Sequence, residues 1–402
     1  MMRALPVVIV SVLLSVVLSA CMGAAAGAPI LANPTPVRPS LAPPTQPPPA
    51  VVDPRPIVLP RDDGPHDRLT EWWYYTGHLR ADDGARFGFE FVVFRAERGR
   101  FPTSWVSHLA ITDETGDRFL YSQRLEVGTQ VDRSPRGPAG QPTGFDLVLD
   151  GADPARPETS GGPVWSMSGS GGTDRLAAAL TPTEAALAGA PGGLALDLEL
   201  VAAKPAALHD RDGWIDFGPA GGSYYYSRTA MTASGSLTLD GRPLTVEGSA
   251  WFDHQWGDFI SVGGGGWDWF ALNLDDGTDI SLSLVRDADG SYPLVYGTVV
   301  APDGSVRHLD RDAFSVEVTD RWVSPATGAD YPAGWTVRIP ADDLTVSLRP
   351  TVADQELDTR ATTGVVYWEG SQVVRATRAG VPLSGVGYVE LTGYAPSLVA
   401  GK

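Results

Sequence analysis

Apolar and polar residues alternate with a period of two in several segments of the chain. The apolar positions in four of these segments are Phe87, Phe89, Phe91 and Val93; Leu194, Leu196, Leu198 and Leu200; Leu237, Leu239, Leu244 and Val246; and Phe314, Val316 and Val318. Such alternation is typical of β-strands, because successive side chains of a strand point to opposite faces. One segment, residues 176–187, is ambiguous: it is alanine-rich and compatible with a helical turn that Pro182 would limit.

Asp-Gly pairs separate these alternating segments. They occur at Asp83-Gly84, Asp150-Gly151, Asp212-Gly213, Asp240-Gly241, Asp276-Gly277, Asp289-Gly290 and Asp303-Gly304. The pair suits a tight hairpin, since both central residues of such a turn need positive φ. Repeated hairpins predict an all-β protein made of antiparallel sandwiches or barrels.

The first 21 residues have the pattern of an export signal. Arg3 precedes an apolar run over residues 4–18, and Leu18-Ser19-Ala20-Cys21 follows. The run is short for a bilayer span, so residues 1–20 are predicted to be a signal peptide. The small residues before Cys21 resemble the motif of bacterial lipoprotein signal peptidase, which implies lipidation of Cys21. A cleaved signal with a chance cysteine is the alternative.

A lipidated Cys21 predicts a protein anchored to the cell envelope, at the outer membrane or the cell surface, because a diacylated cysteine anchors stably. Residues 21–61 are predicted to be a tether, since 12 of the 34 prolines fall between Pro29 and Pro60 and such a segment buries no core.

The remainder is long enough for two domains. We place them at residues 62–260 and 261–402, divided near the four glycines 263–266.

Charge and cysteine content exclude several classes of function. The net charge is −18, which opposes binding to a nucleic-acid backbone. Cys21 is the only cysteine, so neither an internal disulfide nor a thiolate-rich metal site is possible. No Gly-x-Ser-x-Gly and no His-Glu-x-x-His occurs, and the six histidines are scattered along the sequence. We therefore expect neither a serine α/β-hydrolase nor a zinc site.

The segment 66–79 is dense in aromatic and ionisable residues. On a strand, Glu71, Trp73 and Tyr75 share one face, and the residues between them share the other. One face therefore offers a carboxylate beside a tryptophan and a tyrosine. An aromatic core with a capped carboxylate is the structural alternative.

Two later segments place histidines in similar surroundings. His108 lies in the apolar strand 105–113, where a structural histidine is the alternative to a functional one. In the segment 248–258, Asp253 and His254 lie between Trp251 and Trp256. A buried carboxyl or imidazole can be tuned toward neutral pH, so this segment is a candidate proton donor beside an aromatic wall. A purely structural role is again the alternative.

These segments together resemble the family of carotenoid hydratases and AttH-like proteins, over nearly all of residues 62–402. The segments that carry the resemblance are 71–79, 87–95, 107–113, 224–228, 251–257 and 387–394. The resemblance implies an all-β fold of two lipocalin-like antiparallel β-barrel or sandwich domains. Members act on large, hydrophobic, alkene-bearing small molecules.

The resemblance also implies site residues. In carotenoid hydratases a His-x-Trp pair after an aspartate contributes to catalysis, and His254 and Trp256 match it after Asp253. Our leading hypothesis is a cofactor-free hydro-lyase in which Asp253 or His254 donates a proton. Trp256, with Trp73 or Tyr75, would stabilise the cation, and Glu71 would guide water. The residues expected to bind the substrate are Trp73, Tyr75, His108, Tyr225, Trp251 and Trp269.

One departure and two alternatives remain. Carotenoid hydratases use a tyrosine and an aspartate on a following strand, but residues 280–287 contain no tyrosine, which argues against carotenoid hydration itself. A carrier that binds a hydrophobic ligand without converting it is one alternative, and a pericyclase-like isomerase is the other. A carrier would tolerate the loss of His254 and Trp256, whereas a hydratase would not.

Overall fold

The computed structural model describes residues 53–151, 162–259 and 265–395. The predicted signal peptide, Cys21 and most of the predicted tether lie outside these residues. Within the described ranges, no helix has both the length and the apolar character needed to cross a membrane.

The first sheet is a nearly closed antiparallel barrel. Its strands are β1 (Thr70–Ala81), β2 (Arg86–Ala96), β3 (Ser104–Asp113), β4 (Arg118–Val127), β5 (Phe145–Leu149), β6 (Trp165–Ser170), β7 (Thr173–Ala179), β8 (Leu194–Ala202), β9 (Ala207–Leu208), β10 (Trp214–Asp216), β11 (Gly222–Leu239) and β12 (Arg242–Gly257). Their main order is β4-β3-β2-β1-β12-β11-β8-β7-β6-β5, and β9 and β10 pair with β11.

The second sheet is an antiparallel half-barrel. Its strands are β13 (Gly266–Leu274), β14 (Asp279–Arg286), β15 (Leu294–Val300), β16 (Val306–Leu309), β17 (Ser315–Val323), β18 (Asp330–Ile339), β19 (Leu344–Pro350), β20 (Glu356–Asp358), β21 (Val366–Arg378) and β22 (Val381–Thr392). Their main order is β16-β15-β14-β13-β22-β21-β19-β18-β17, and β20 pairs with β21.

The predicted all-β fold is confirmed, and the period-two pattern explains its core. The alternating apolar side chains of β2 and β8 are buried together in the barrel, because every second residue of each strand faces inward. The half-barrel has a separate core that contains Trp335 and Trp368. One predicted apolar position departs from the pattern, since Val318 of β17 is exposed.

The hairpin between β11 and β12 follows the predicted turn chemistry. Asp240 and Gly241 both have positive φ, 52° and 76°, as a tight hairpin turn of this kind requires. The turn sets the register of the first part of β12, and a shift between Arg228 and Met231 of β11 changes the register before Asp253, His254 and Trp256.

The ambiguous segment 176–187 divides into strand β7 and a short helix, α1 (Pro182–Leu187). Pro182 begins the helix rather than limiting it, because proline needs no hydrogen-bond donor in the first turn. Thr181 and Glu184 cap the helix reciprocally. Short 3₁₀ helices also occur at Arg61–Asp63, Gly218–Ala220, Arg311–Ala313 and Pro340–Asp342.

A third apolar cluster lies between the two sheets. It joins Tyr74 and Trp251 of the barrel to Trp269 and Tyr388 of the half-barrel. Strands β1 and β12 therefore have one face in the barrel core and the other against the second sheet. The boundary predicted at residues 260 and 261 lies outside the described residues.

Candidate active site

Strands β1 and β12 pair side by side and carry most of the predicted site residues. Trp73 lies opposite His254, and Tyr74 lies opposite Asp253. Trp73 belongs to the barrel core, whereas Tyr74 belongs to the cluster between the sheets. Alternation along the two strands therefore places the predicted residues in two separate locations.

In the barrel, two histidine side chains converge on one carboxylate oxygen of Glu71. Oε1 of Glu71 lies 2.9 Å from Nε2 of His254 and 2.7 Å from Nδ1 of His66. An ionised carboxylate only accepts hydrogen bonds, so both ring nitrogens donate. The other oxygen of Glu71 accepts the backbone N–H of His66 at 2.9 Å. We call His66, Glu71 and His254 the histidine–glutamate triad.

Aromatic rings enclose the triad. The ring of His66 stacks on Trp256, with centroids 4.1 Å apart and an interplanar angle of 1°. Trp73 stacks against His254 at 4.7 Å, and the edge of Tyr226 approaches the same imidazole at 5.5 Å. The triad is thus a polar group within an aromatic wall.

The charges within the triad are unequal. Burial opposes ionisation of Glu71, but the charge of His66 and the hydrogen bonds from both imidazoles outweigh burial and lower the pKa of Glu71 to about 2. Burial also opposes protonation of His66, yet Glu71 and Asp62 raise its pKa above the ordinary value. For His254 burial prevails, and its pKa is lowered despite the hydrogen bond to Glu71. The arrangement favours an ionised Glu71, a protonated His66 and a neutral His254.

The second ring nitrogen of His254 differs from Nε2 in its surroundings. Nδ1 is buried and has no hydrogen-bond partner among the described residues. Because Nε2 holds the proton shared with Glu71, Nδ1 of the neutral ring carries the lone pair. This nitrogen is therefore the triad atom best placed to exchange a proton with a bound molecule.

His66 was not among the residues predicted for the site. It lies in the loop between the 3₁₀ helix Arg61–Asp63 and β1, and contacts across the fold fix this loop. The side chain of Asp63 accepts hydrogen bonds from Tyr226 at 2.5 Å and from Arg228 at 2.6 Å. Its backbone carbonyl accepts Nε1–H of Trp73 at 2.9 Å. The only sequence signal for His66 was its place at the start of the aromatic segment 66–79.

Asp253 lies on the opposite face of β12, in the interface between the sheets. Its carboxylate accepts hydrogen bonds from Tyr225, from Ser227 and, at 2.6 Å, from Nε1 of Trp251. Trp269 of the second sheet donates to the hydroxyl of Tyr225 at 3.0 Å. Burial outweighs these hydrogen bonds and raises the pKa of Asp253 to about 6.

This placement corrects the expected site in one respect. Asp253 and His254 were expected to serve one reacting centre, but neighbouring residues of a strand face opposite ways. Tyr225, Trp251 and Trp269 surround Asp253 in the interface. Glu71, Trp73 and Trp256 remain with His254.

His108 occupies a third location. Its ring contacts the hydroxyl of Tyr367 at 2.7 Å and that of Thr362 at 3.2 Å, so both nitrogens have partners in or near the second sheet. Burial lowers the pKa of His108 to about 3. The ring is therefore a neutral, hydrogen-bonded part of the interface, which matches the structural alternative.

Tyr75 lies on the barrel face with the triad. Its ring stacks on Phe252 with centroids 4.5 Å apart, and its hydroxyl donates to Asp174 at 2.9 Å. Burial raises the pKa of Asp174 to about 6. The polar end of Tyr75 is thus already engaged, and its ring contributes apolar surface.

Three glutamates between the sheets were not predicted; Glu90 and Glu369 are buried, and Glu390 is half-buried. Glu90, Glu369 and Glu390 accept hydrogen bonds from Tyr367, Tyr74 and Trp267 respectively, at 2.8 to 3.0 Å. Burial raises the pKa of Glu90 to about 8 and that of Glu390 to about 7. Burial, together with the charge of Glu90, raises the pKa of Glu369 well above its ordinary value. The alternation pattern gave no signal for them, because it assigned polar positions to solvent.

The triad is also the group of side chains best arranged to hold a metal. One ligand atom from each of His66, Glu71 and His254 lies within 4.8 Å of the other two. No zinc site was expected because the histidines are far apart in the sequence. The fold brings two of them to one carboxylate.

Solved structures with the same fold include an AttH from Nitrosomonas europaea, with a TM-score of 0.70 and 29% identity, covering 86% of this chain and 99% of that one. Kievitone hydratase from Nectria haematococca has a TM-score of 0.59 at 15% identity, with coverages of 85% and 94%. CghA with Sch210972 has a TM-score of 0.52 at 13% identity, with coverages of 81% and 89%. The last two identities show a shared fold alone.

A search of curated proteins finds no match. The family model described as AttH-like matches residues 50–394, a range that contains both sheets and all three residues of the triad. The chain therefore belongs to the AttH-like family.

Proposed function

We propose that this protein adds water to, or isomerises, a hydrophobic alkene-bearing small molecule at the histidine–glutamate triad. The observation that carries the proposal is the asymmetric imidazole of His254. One nitrogen is fixed by Glu71, and the other is buried among aromatic rings without a partner. The fold shared with kievitone hydratase supports hydration, although a fold alone does not determine a reaction.

In the proposed reaction, His254 acts first as an acid and then as a base. Nδ1 of the neutral ring first takes up a proton from solvent. That proton is then transferred to one carbon of the double bond, and the neighbouring carbon becomes a carbocation. Glu71 stabilises the imidazolium through Nε2 and fixes its tautomer, as the carboxylate of a catalytic triad does. Water then attacks the cation, a C–O bond forms, and the proton lost by the water returns to Nδ1. In an isomerisation, Nδ1 instead recovers a proton from a carbon adjacent to the cation.

The aromatic wall has a defined role in this chemistry. The faces of Trp73 and Trp256 lie beside the imidazoles, where their π-electrons can stabilise a carbocation. Such an interaction is worth about 2 kcal/mol or more when desolvated. The buried side chains around the triad also limit the access of bulk water to the cation.

The test uses the full-length protein in detergent with a lipid extract of the cells that produce it. Reactions in ¹⁸O-labelled water and in deuterated water are analysed by mass spectrometry. A hydratase incorporates ¹⁸O, and an isomerase incorporates deuterium without ¹⁸O. An unchanged lipid that co-purifies with the protein, with no label incorporated, would contradict the proposal and favour the carrier.

We also propose that the protein is exported and anchored through Cys21, as the pattern of residues 1–21 suggests. Cells that express the protein and are fed an alkyne-labelled fatty acid should label the wild-type chain. The Cys21→Ser variant should carry no label and should leave the membrane fraction. Equal labelling of both chains would contradict lipidation at Cys21.

A further inference from the structure

We propose that the histidine–glutamate triad is also a binding site for a divalent transition-metal ion of the Zn²⁺ type, and that the bound ion inhibits turnover. The inhibition rests on the proposed function of the same residues, whereas the binding does not. Two imidazole nitrogens and one carboxylate oxygen are the donor set of many zinc and non-haem iron sites.

The donor atoms converge before any ion is present. Nδ1 of His66 and Nε2 of His254 approach the same oxygen of Glu71, at 2.7 and 2.9 Å. An ion bonded to all three needs ligand distances of about 2.0 to 2.2 Å, so small shifts of the side chains away from the shared oxygen would admit it. Metal binding would cost little side-chain conformational entropy, because the three side chains are already held close together.

The supports of the three ligands make the site rigid. Glu71 and His254 lie on paired strands, and the loop of His66 is held by the hydrogen bonds of Asp63. The Nε2 atom of His66 lies 3.6 Å from Oδ1 of Asp62. A carboxylate behind a ligand imidazole is a recurrent orienting partner in metal sites, and its loss weakens binding.

The site is accessible from solvent at His66, and the negative charge of the protein favours the approach of a cation. Glu71 and His254 have fully buried side chains, whereas that of His66 is 20% exposed. An ion can therefore approach from the side of His66. The net charge of −18 raises the local concentration of cations around the protein.

Metal binding and the proposed proton transfer exclude each other. An ion takes the place of the two protons that bridge Glu71 to the imidazoles, since ligand nitrogens must be deprotonated. With Nε2 of His254 bonded to the ion, Glu71 no longer stabilises a protonated imidazole. Zn²⁺ should therefore inhibit turnover reversibly, and a chelator should restore it.

The experiment is calorimetric titration of the metal-free, full-length protein with Zn²⁺, together with visible spectroscopy of its Co²⁺ complex. We expect one ion per chain and a Co²⁺ spectrum of low coordination number. His66→Ala, Glu71→Gln and His254→Ala should each weaken Zn²⁺ binding by at least about 100-fold, and Asp62→Asn by about 10-fold. His308→Ala is the matched control, because His308 lies on β16 in the second sheet, beside Asp210 and Asp310.

Two results would overturn the proposal: wild-type affinity no higher than that of the triad variants, or an equal loss in His308→Ala. If a triad variant fails to fold, the Co²⁺ spectrum of the wild type decides alone, since a six-coordinate, water-like spectrum excludes the site. Binding is measured without substrate. A protein that binds Zn²⁺ but converts no lipid would contradict only the proposed function, and one that converts lipid without binding Zn²⁺ would contradict only this inference.

Discussion

At the scale of single residues, the two nitrogens of His254 have different surroundings. Glu71 fixes the proton on Nε2, and the lone pair of Nδ1 lies buried among aromatic rings without a hydrogen-bond partner. The negative charge of Glu71 stabilises the imidazolium that forms when Nδ1 of His254 takes a proton. A neutral amide of the same shape cannot stabilise that positive charge.

Glu71→Gln should therefore lower turnover by a factor of about 10² to 10⁴, the usual contribution of positioned acid–base catalysis. The amide keeps the volume of the side chain, so we expect the fold to survive. Steady-state rates and thermal unfolding of the same preparation check both parts. Unchanged turnover in a folded variant would remove Glu71 from the reaction.

At the scale of elements, strand β12 carries His254 on the face toward the barrel and Asp253 on the face toward the second sheet. Its even-numbered residues 252, 254 and 256 face the barrel, and its odd-numbered residues 251 and 253 face the second sheet. Asp253 accepts three hydrogen bonds there. In the proposed function, Asp253 stabilises the interface and does not donate a proton to the substrate.

Asp253→Asn should therefore reduce the free energy of unfolding by about 1 to 3 kcal/mol, because a buried hydrogen-bond network loses acceptors. Turnover per folded molecule should change far less than in Glu71→Gln. Urea unfolding and rates corrected for the folded fraction measure the two effects. A large loss of turnover at unchanged stability would place Asp253 in the chemistry.

The sequence predicted the strands well because alternation is a local property. The faces of Glu71, Trp73 and Tyr75 followed from it, and so did the burial of the β2 and β8 side chains. The same rule, applied to residues 251–257, would have separated Asp253 from His254. Neither His66 nor the interface glutamates could be predicted in this way. A loop conformation fixed by Asp63, and a second sheet covering one face of the barrel, both depend on contacts between distant residues.

At the scale of the whole molecule, the two sheets share an interface that contains three glutamates in addition to Asp253. Burial raises the pKa of Glu90 from its ordinary value of 4.5 to about 8. Glu369 and Glu390 face it across the interface, and Tyr74 and Tyr367 donate hydrogen bonds to the cluster. The folded protein thus holds these protons more tightly than the unfolded chain.

Since the folded pKa is raised, the stabilisation is fully present below pH 4.5 and is lost as the pH rises through about 8. Between these values the contribution of Glu90 to the free energy of unfolding should fall with rising pH, so the wild type should lose stability relative to Glu90→Gln. Glu90→Gln should reduce this dependence, because the amide needs no proton. Urea unfolding at a series of pH values measures it. An unchanged slope in Glu90→Gln over this range would contradict the assignment.

In the proposed function, the chemistry of the chain occurs at His254. The most direct test compares the rate at which isotope from labelled water enters a lipid product for the wild type, His254→Ala and His308→Ala. We expect incorporation by the wild type and His308→Ala, and a loss to background in a folded His254→Ala. Incorporation by His254→Ala at the wild-type rate would contradict it.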